Sequence, residues 1–162
     1  MIGSEPSWLD RLKTLAVAIF SLLVISAAGY YIYGLYQSKT DDCALRTKSA
    51  NPVTNCVSLE KVDSKESRAK GLSGRPTMNA NQAMLFVFDS PGKQCMWMKD
   101  MNFNIDIIWL DSDKKITSVK RNVSPKTYPN NFCGGNKDKY VIETAAGAID
   151  DDQISVGKQL NF

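Results

Sequence analysis

The pattern of hydrophobic and polar positions divides the chain into one long apolar run and a later part in which short apolar segments alternate with polar turns. The run from Leu15 to Tyr36 contains no charged residue and is long enough to cross a bilayer as one helix. Its C-terminal end carries the tyrosines that favour a headgroup layer: Tyr30, Tyr31, Tyr33 and Tyr36. We predict a short cytoplasmic head at residues 1–14 and a single transmembrane anchor at residues 15–36.

The same run also fits a cleaved secretory signal. Arg11 and Lys13 would form the basic region, Leu15 to Ile25 the apolar region, and the small residues ending at Ala28 a cleavage site. Apolar sequence continues past Ala28, which favours the uncleaved anchor. Both alternatives place the remainder outside the membrane: attached if the run is retained, and secreted or periplasmic if it is cut after Ala28.

The exported part begins polar and continues with apolar segments of strand length. Residues 37–56 predict a spacer, and residues 57–162 predict one extracytoplasmic β-domain. A capping box at Asp63 to Glu66 predicts a short helix that ends near Lys70. The predicted strands are Ser58–Val62, Met84–Phe88, Cys95–Met98, Ile105–Leu110, Ile116–Lys120, Tyr140–Glu143 and Gln159–Phe162, with one helical turn at Ala145–Asp150.

These segments favour a mainly β fold, either a β-sandwich or a small barrel, with one short early helix. Met84–Phe88 is apolar on both alternating faces, as expected of a strand buried on two sides. The polar stretch Asp111–Lys114 predicts a β-hairpin between its two flanking strands. The interval from Asn122 to Lys139 contains two prolines and a glycine pair, which predicts a long loop.

Charge argues against a nucleic-acid partner. The head holds two basic and two acidic residues, so the part from Ser38 onward carries 18 Lys and Arg against 15 Asp and Glu. No basic cluster is dense enough to follow a phosphate backbone. The predicted partners are the membrane and a small ligand or envelope protein.

Four cysteines follow the apolar run, and an even number in an exported segment predicts disulfides. Three pairings are possible. We favour Cys43 with Cys56, closing a local loop, and Cys95 with Cys133, joining two parts of the domain. No Cys-x-x-Cys spacing points to a redox pair.

The chain contains no histidine. This excludes Ser-His-Asp and Cys-His catalysis and any histidine-bearing zinc site. The wide cysteine spacings argue against a four-cysteine zinc site. We therefore predict no metal and no cofactor.

Two carboxylates interrupt apolar strands, and both are candidate catalytic or ligand-binding residues. Alternation places Asp106 on the face of Ile108, and Glu143 on the face of Val141. A buried carboxylate needs a partner, so the two could share a pocket in acid and base roles. The alternative, which we weight more heavily, is that each caps backbone N–H groups or pairs with a basic residue.

The segment from Trp97 to Met101 adds an aromatic ring, two thioethers and a lysine. Trp97 with Trp109 could form a stacking platform for a sugar or peptide, although buried aromatic rings usually belong to a core. Lys99 could be the cation that pairs with Asp106 or Glu143, and a desolvated lysine can act as a base or an anion clamp, although a solvated lysine is the commoner state.

The motifs Arg68 to Arg75, Ala83 to Phe88, Trp97 to Met101 and Tyr140 to Glu143 resemble, in order, those of domain-of-unknown-function family 192 (DUF192). The resemblance covers roughly residues 58–162. It implies a jelly-roll-like β-sandwich behind an N-terminal signal or anchor, with no settled activity. It also implies that Trp97, Met98, Lys99, Asp106 and Glu143 occupy positions of the family's motifs. It supports the pairing of Cys95 with Cys133.

The leading hypothesis is a membrane-anchored extracytoplasmic β-domain that binds a ligand or partner through Trp97, Lys99, Asp106 and Glu143. One alternative is an acid-base hydrolase of the cell envelope that uses Asp106 and Glu143. Another is a structural accessory module of an envelope complex. One open cleft for both carboxylates would favour the first two hypotheses, and separate capping of each would favour the third.

Overall fold

The structure is a computed structural model that describes residues 8–41, 43–48 and 56–162. The chain divides into two compact units, one ending at Asp41 and the other beginning at Asp42. Residues 42 and 49–55 of the predicted spacer lie outside the described residues.

The first unit is helix α1 (Trp8–Asp41). Within it, Arg11–Leu35 is long and apolar enough to cross a membrane, as judged from length and composition. Large apolar side chains are exposed all around this helix, a pattern typical of a membrane span. The helix begins within the predicted head and continues five residues beyond Tyr36, because no proline or helix-ending glycine follows the apolar run.

The second unit is built on seven strands among the described residues. They are β1 (Ser58–Val62), β2 (Gln82–Gly92), β3 (Cys95–Trp97), β4 (Ile105–Asp111), β5 (Ile116–Val123), β6 (Asn131–Cys133) and β7 (Asp138–Ala145). Five of them form one sheet in the order β1-β2-β7-β4-β5. β1 runs parallel to β2, and the other neighbours are antiparallel. β3 and β6 form a separate two-stranded ribbon.

Both faces of the sheet are covered, because the central strands are apolar at successive positions. One face packs Leu85, Ile108 and Ile142 into a core with the C-terminal segment. The other face packs Phe86 and Trp109 against side chains of the ribbon and of the segment after α2. Because side chains alternate along a strand, neighbouring residues of a central strand belong to two different cores, one on each face of the sheet.

The mainly β prediction is confirmed. In the part of the chain that the structure describes, β1 and β5 are open edges, so the sheet is not a closed barrel. The sandwich stays a prediction. The hairpin between β4 and β5 is confirmed, and Asp111 shapes its turn by accepting the N–H groups of Asp113 and Lys115.

Helix α2 (Lys65–Lys70) begins at Ser64 rather than at Asp63. The Ser64 hydroxyl accepts the Ser67 N–H at 3.0 Å, and the Ser67 hydroxyl accepts the Ser64 N–H at 3.1 Å. Two serines thus replace the predicted carboxylate cap. Gly71 ends the helix with a φ of +47°, a conformation that favours glycine.

Two local predictions are wrong. Gln159–Phe162 forms only a single bridge, between Lys115 and Gln159, and not a strand. Ala145–Asp150 contains the end of β7 and a tight turn at Gly147 rather than helix, because Gly147 takes a φ of +69°. The long loop after Asn122 holds a short 3-10 turn at Pro125–Thr127 and strand β6.

The domain also begins before residue 57. Leu45 is buried in the core, and Thr47 forms a bridge with Ile149. A disulfide joins Cys43 to Cys56 and holds this segment to the start of the sheet. The segment 43–48 is therefore part of the fold rather than a spacer.

Candidate functional site

Glu143 lies in the middle of the sheet and is the least satisfied carboxyl group of the candidate site. It belongs to β7, with Met84 of β2 on one side and Ile107 of β4 on the other. Its side chain is 4% exposed. Neither a hydrogen bond nor an ion pair joins its carboxyl group to any described residue. A buried carboxyl group without a partner is unusual, since desolvation is expensive for a polar group.

Glu143 is one of the residues that line a narrow crevice of about 20 Å³. The turn at Gly71–Ser73 borders one side, and Met96, Trp97 and Met101 border the other. Burial raises the pKa of Glu143 to about 8, and no basic group among the described residues offsets that effect. At neutral pH the group is therefore mostly a neutral carboxylic acid, which can both donate and accept a hydrogen bond.

The backbone fixes the shape of this crevice. A methyl group on Gly71 would lie 3.2 Å from the Phe86 ring, so glycine lets the turn approach the sheet closely. Leu72 is buried beside it. The Ser73 hydroxyl donates to the carbonyl of Lys99 at 2.8 Å and ties the turn to the segment after β3.

A wider cavity of about 460 Å³ adjoins the crevice and shares several of its walls. Trp97 stands at the junction with half of its surface exposed. Asn131 and the disulfide between Cys95 and Cys133 border the cavity from the ribbon side. Most of the lining is apolar or aromatic, with a few polar groups, as is typical of small-molecule sites.

Arg68 borders both cavities, but its guanidinium is already engaged. Nη1 donates to the carbonyl of Val87 at 2.9 Å and also to the carbonyl of Asp63. The guanidinium lies 5.2 Å from the centre of the Phe88 ring. Arg68 therefore holds the wall between α2 and β2 together.

The ribbon of β3 and β6 positions Trp97. Cys95 lies opposite Cys133, Met96 opposite Phe132, and Trp97 opposite Asn131. The disulfide links the first of these pairs, as the sequence predicted. In β3, Met96 points into the core, and the residues on either side of it point outward, so alternation presents Trp97 at the surface.

Asp106 lies on the opposite face of the sheet from Glu143. Its partner across β7 is Thr144, whereas Glu143 lies opposite Ile107. The two carboxylates therefore do not share a pocket, and the hypothesis that they act as an acid-base pair is wrong.

Both oxygens of the Asp106 carboxylate accept hydrogen bonds from nearby backbone N–H groups. Oδ1 accepts the Asn122 N–H at 2.7 Å, and Oδ2 accepts the Gly147 N–H at 2.9 Å. Nη1 of Arg121 lies 3.5 Å from Oδ2. These contacts fasten the irregular end of β5 to the turn after β7, with Asp106 only 1% exposed. The geometry is that of a structural cap.

The remaining residues that the sequence assigned to the site, Lys99 and Trp109, do not play the predicted roles. Lys99 is exposed and forms no ion pair with a described carboxylate, so its role as counter-ion is not realised. Trp109 is fully buried, and its Nε1 donates to the carbonyl of Gln94 at 2.9 Å. Trp97 and Trp109 therefore do not form a stacking platform, because one is a core residue.

Sequence reasoning missed Asp138, a carboxylate that is completely buried at the start of β7. Its Oδ1 accepts the Thr117 hydroxyl at 2.6 Å. Burial raises the pKa of Asp138, and the hydrogen bonds from Thr117 and Gly135 oppose that rise. Asp138 follows a polar turn in the sequence, so its neighbours do not predict that it is buried. The only signal was the glycine pair Gly134-Gly135, which suggests that the backbone there packs closely against another group.

The described residues contain no group of three or more His, Cys, Asp or Glu side chains that could hold a metal ion. Any ion bound in the crevice would need other ligand types. The two thioethers beside Glu143 are such ligands.

Comparisons with known proteins support the fold. A crystal structure of a protein of unknown function from Novosphingobium aromaticivorans DSM 12444 is 22% identical, with a TM-score of 0.54, over 56% of this chain and 64% of that one. The match thus spans less than two thirds of that protein. A proposed transcription regulator from Sinorhizobium meliloti 1021 is 28% identical, with a TM-score of 0.61, over 72% of this chain and 88% of that one.

No protein with a curated function matches the chain. A family model described as "Uncharacterized ACR" matches residues 46–162, which includes every strand of the sheet and both walls of the crevice. That range begins next to the buried Leu45 and agrees with the early start of the domain. The chain belongs to the DUF192 family.

Proposed function

We propose that this protein is a membrane-anchored, extracytoplasmic binding module that takes a small ligand at the crevice of Glu143 and the adjoining cavity beside Trp97. The observation that carries the proposal is that Glu143 is buried, lines the crevice, and has no partner for its carboxyl group among the described residues. A group of this kind costs folding free energy. A ligand that supplies the missing partner recovers that free energy on binding.

The wall residues support the same proposal. The half-exposed indole of Trp97 offers apolar area at the junction of the two cavities, and the ribbon holds it in place. The Cys95–Cys133 disulfide makes the ribbon a rigid edge. A preformed site of this type loses little entropy when it binds.

An extracytoplasmic location is supported by two features. α1 has the length and composition of a membrane span, and both cysteine pairs form disulfides, which persist in oxidising compartments. Protease treatment of spheroplasts, before and after lysis of the cell membrane, tests this part. We expect residues 43–162 to be cleaved in unlysed spheroplasts, and protection until lysis would contradict it.

A thermal-shift screen of the full chain in detergent micelles tests the binding site. Cations, sugars and short peptides would be added at pH 7, and a ligand present at 100 times its dissociation constant stabilises the folded state by about 2.7 kcal/mol. The matched variants are Glu143→Gln and Asp106→Asn, which each convert one carboxylate to an amide on opposite faces of the sheet.

We expect ligands that stabilise the native chain to lose their effect in Glu143→Gln and to keep it in Asp106→Asn. Asp106→Asn is expected to be less stable than the native chain. The quantity compared is therefore the change in melting temperature on adding ligand, and not the melting temperature itself. A ligand whose shift is unchanged in Glu143→Gln and in Trp97→Ala would overturn the proposed site.

A further inference from the structure

The size of the crevice limits what can reach Glu143. A volume of about 20 Å³ accommodates one water-sized particle, since a single water needs roughly 10–15 Å³ on this measure. A sugar ring or a peptide side chain does not fit without moving the turn at Gly71–Ser73. In the crevice as it stands, the particle that fits best is therefore a single atom or a water molecule.

Two of the side chains around that space carry soft thioether sulfurs. Met96 and Met101 line the crevice together with Glu143, and the Trp97 indole borders it. Thioethers select soft ions such as Cu(I), whereas Ca²⁺ and Mg²⁺ need six or more oxygen ligands. Zinc sites are built mainly from histidine and cysteine thiolate. The chain has no histidine, and the described cysteines are all in disulfides.

We infer that the crevice binds one soft monovalent metal ion, Cu(I) or its analogue Ag(I), through the thioethers of Met96 and Met101 and the carboxylate of Glu143. This inference rests on the proposed function and names the class of ligand. The bound ion also supplies the counter-charge that the described protein groups do not provide for an ionised Glu143.

Binding exchanges a proton for the ion. The neutral carboxyl group loses its proton to solvent, and its oxygen then coordinates the metal, so one positive charge leaves the site for each that enters. No electron is transferred. Arg68 and Lys70 are the basic residues that border the crevice, and Arg68 is held by two backbone carbonyls and the Phe88 ring.

The proton exchange predicts how affinity depends on pH. The pKa of Glu143 is about 8, so below that value each pH unit should weaken binding about tenfold. We expect a loss of about 50-fold in affinity between pH 8 and pH 6, because about half of the Glu143 carboxyl groups are ionised at pH 8 and about one in a hundred at pH 6. Glu143→Gln has no proton to release, so its residual binding should be independent of pH.

The test is a titration of the full chain in detergent micelles with silver nitrate in chloride-free buffer. Ag(I) needs no added reductant, so both disulfides stay closed. Trp fluorescence and native mass spectrometry report affinity and stoichiometry. We expect one ion per chain for the native protein and an affinity lowered roughly tenfold or more by Met96→Leu or Met101→Leu.

Met78→Leu is the matched control. Met78 packs against the same hydrophobic core but does not line the crevice. Leucine keeps nearly the same volume, so all three variants should fold, and circular dichroism checks that they do. Equal Ag(I) affinity in the native chain, Met96→Leu and Met101→Leu would overturn the inference.

The two proposals fail in different ways. Absence of Ag(I) binding, together with an organic ligand whose thermal shift needs Glu143, would refute the metal site and leave the proposed function intact. Ag(I) binding that is unaffected by the Met96, Met101 and Glu143 variants would refute the metal site as well. Failure of every ligand, Ag(I) included, would refute both.

Discussion

The free energy of unfolding should fall as the pH rises from about 4.5 to about 8, because Glu143 is buried without a partner. Its pKa is 4.5 for the ordinary side chain and about 8 in the folded protein, so the folded state holds a proton that the unfolded state releases. A raised carboxyl pKa therefore makes the native state less stable at high pH. The shift corresponds to about 5 kcal/mol, using 1.36 kcal/mol for each pKa unit.

Glu143→Gln removes this titration and keeps the size and hydrogen-bonding ability of the side chain. In the variant, the free energy of unfolding should no longer change with pH through Glu143. We expect the variant to be more stable than the native chain above pH 8. Below pH 4.5 the two should have nearly equal stability, since the native carboxyl group is then neutral in both states.

Urea unfolding of both chains, followed by circular dichroism every half pH unit from 4 to 9 with disulfides oxidised, measures the difference. Other carboxylates contribute to each curve separately, and the raised pKa of Asp138 acts in the same direction. Those contributions cancel when the variant is subtracted from the native chain. A difference that stays constant over this pH range would show that Glu143 is ionised or paired, and would refute the reasoning.

Three further predictions concern the framework of the site. Asp106→Asn should lower the free energy of unfolding by about 2 to 4 kcal/mol in urea titrations, because one amide oxygen cannot replace two carboxylate oxygens as acceptors. Gly134→Ala should lower it by about 3 kcal/mol, since the new methyl group would lie 2.0 Å from a buried carboxylate oxygen. Gly135→Ala meets nothing closer than 3.8 Å and should be nearly neutral. Peptide mapping without reduction should recover Cys95 linked to Cys133, and free thiols at these positions would contradict the structure.

Several features could be read from local sequence because their causes are local. The apolar run predicts α1 by its length and lack of charge, and hydrophobic segments of strand length predict β2, β4 and β7. The polar turn at Asp111–Lys114 predicts the hairpin that follows it. An even number of cysteines after the apolar run predicts disulfides, whose pairing the structure gives as expected.

Features that depend on distant parts of the chain were missed. Leu45 is the only large apolar residue in its stretch of the sequence, from Ser38 to Pro52, and its burial depends on the C-terminal segment that packs with it. Trp97 and Trp109 have the same side chain, yet one is half exposed and the other fully buried, because a ribbon edge and a central strand offer different surroundings. The short strand β6 pairs with β3, which is distant in the sequence, so no local pattern predicts it.

The sequence by itself determined that Glu143 shares a strand face with Val141, and that Asp106 shares one with Ile108, because side chains alternate along a strand. It could not determine whether these two faces are the same side of the sheet. That depends on the register of β4 against β7, where a shift of one residue would move every side chain of a strand to the other side. The tertiary structure decided it: Asp106 fastens the backbone on one side, and Glu143 is left without a partner on the other.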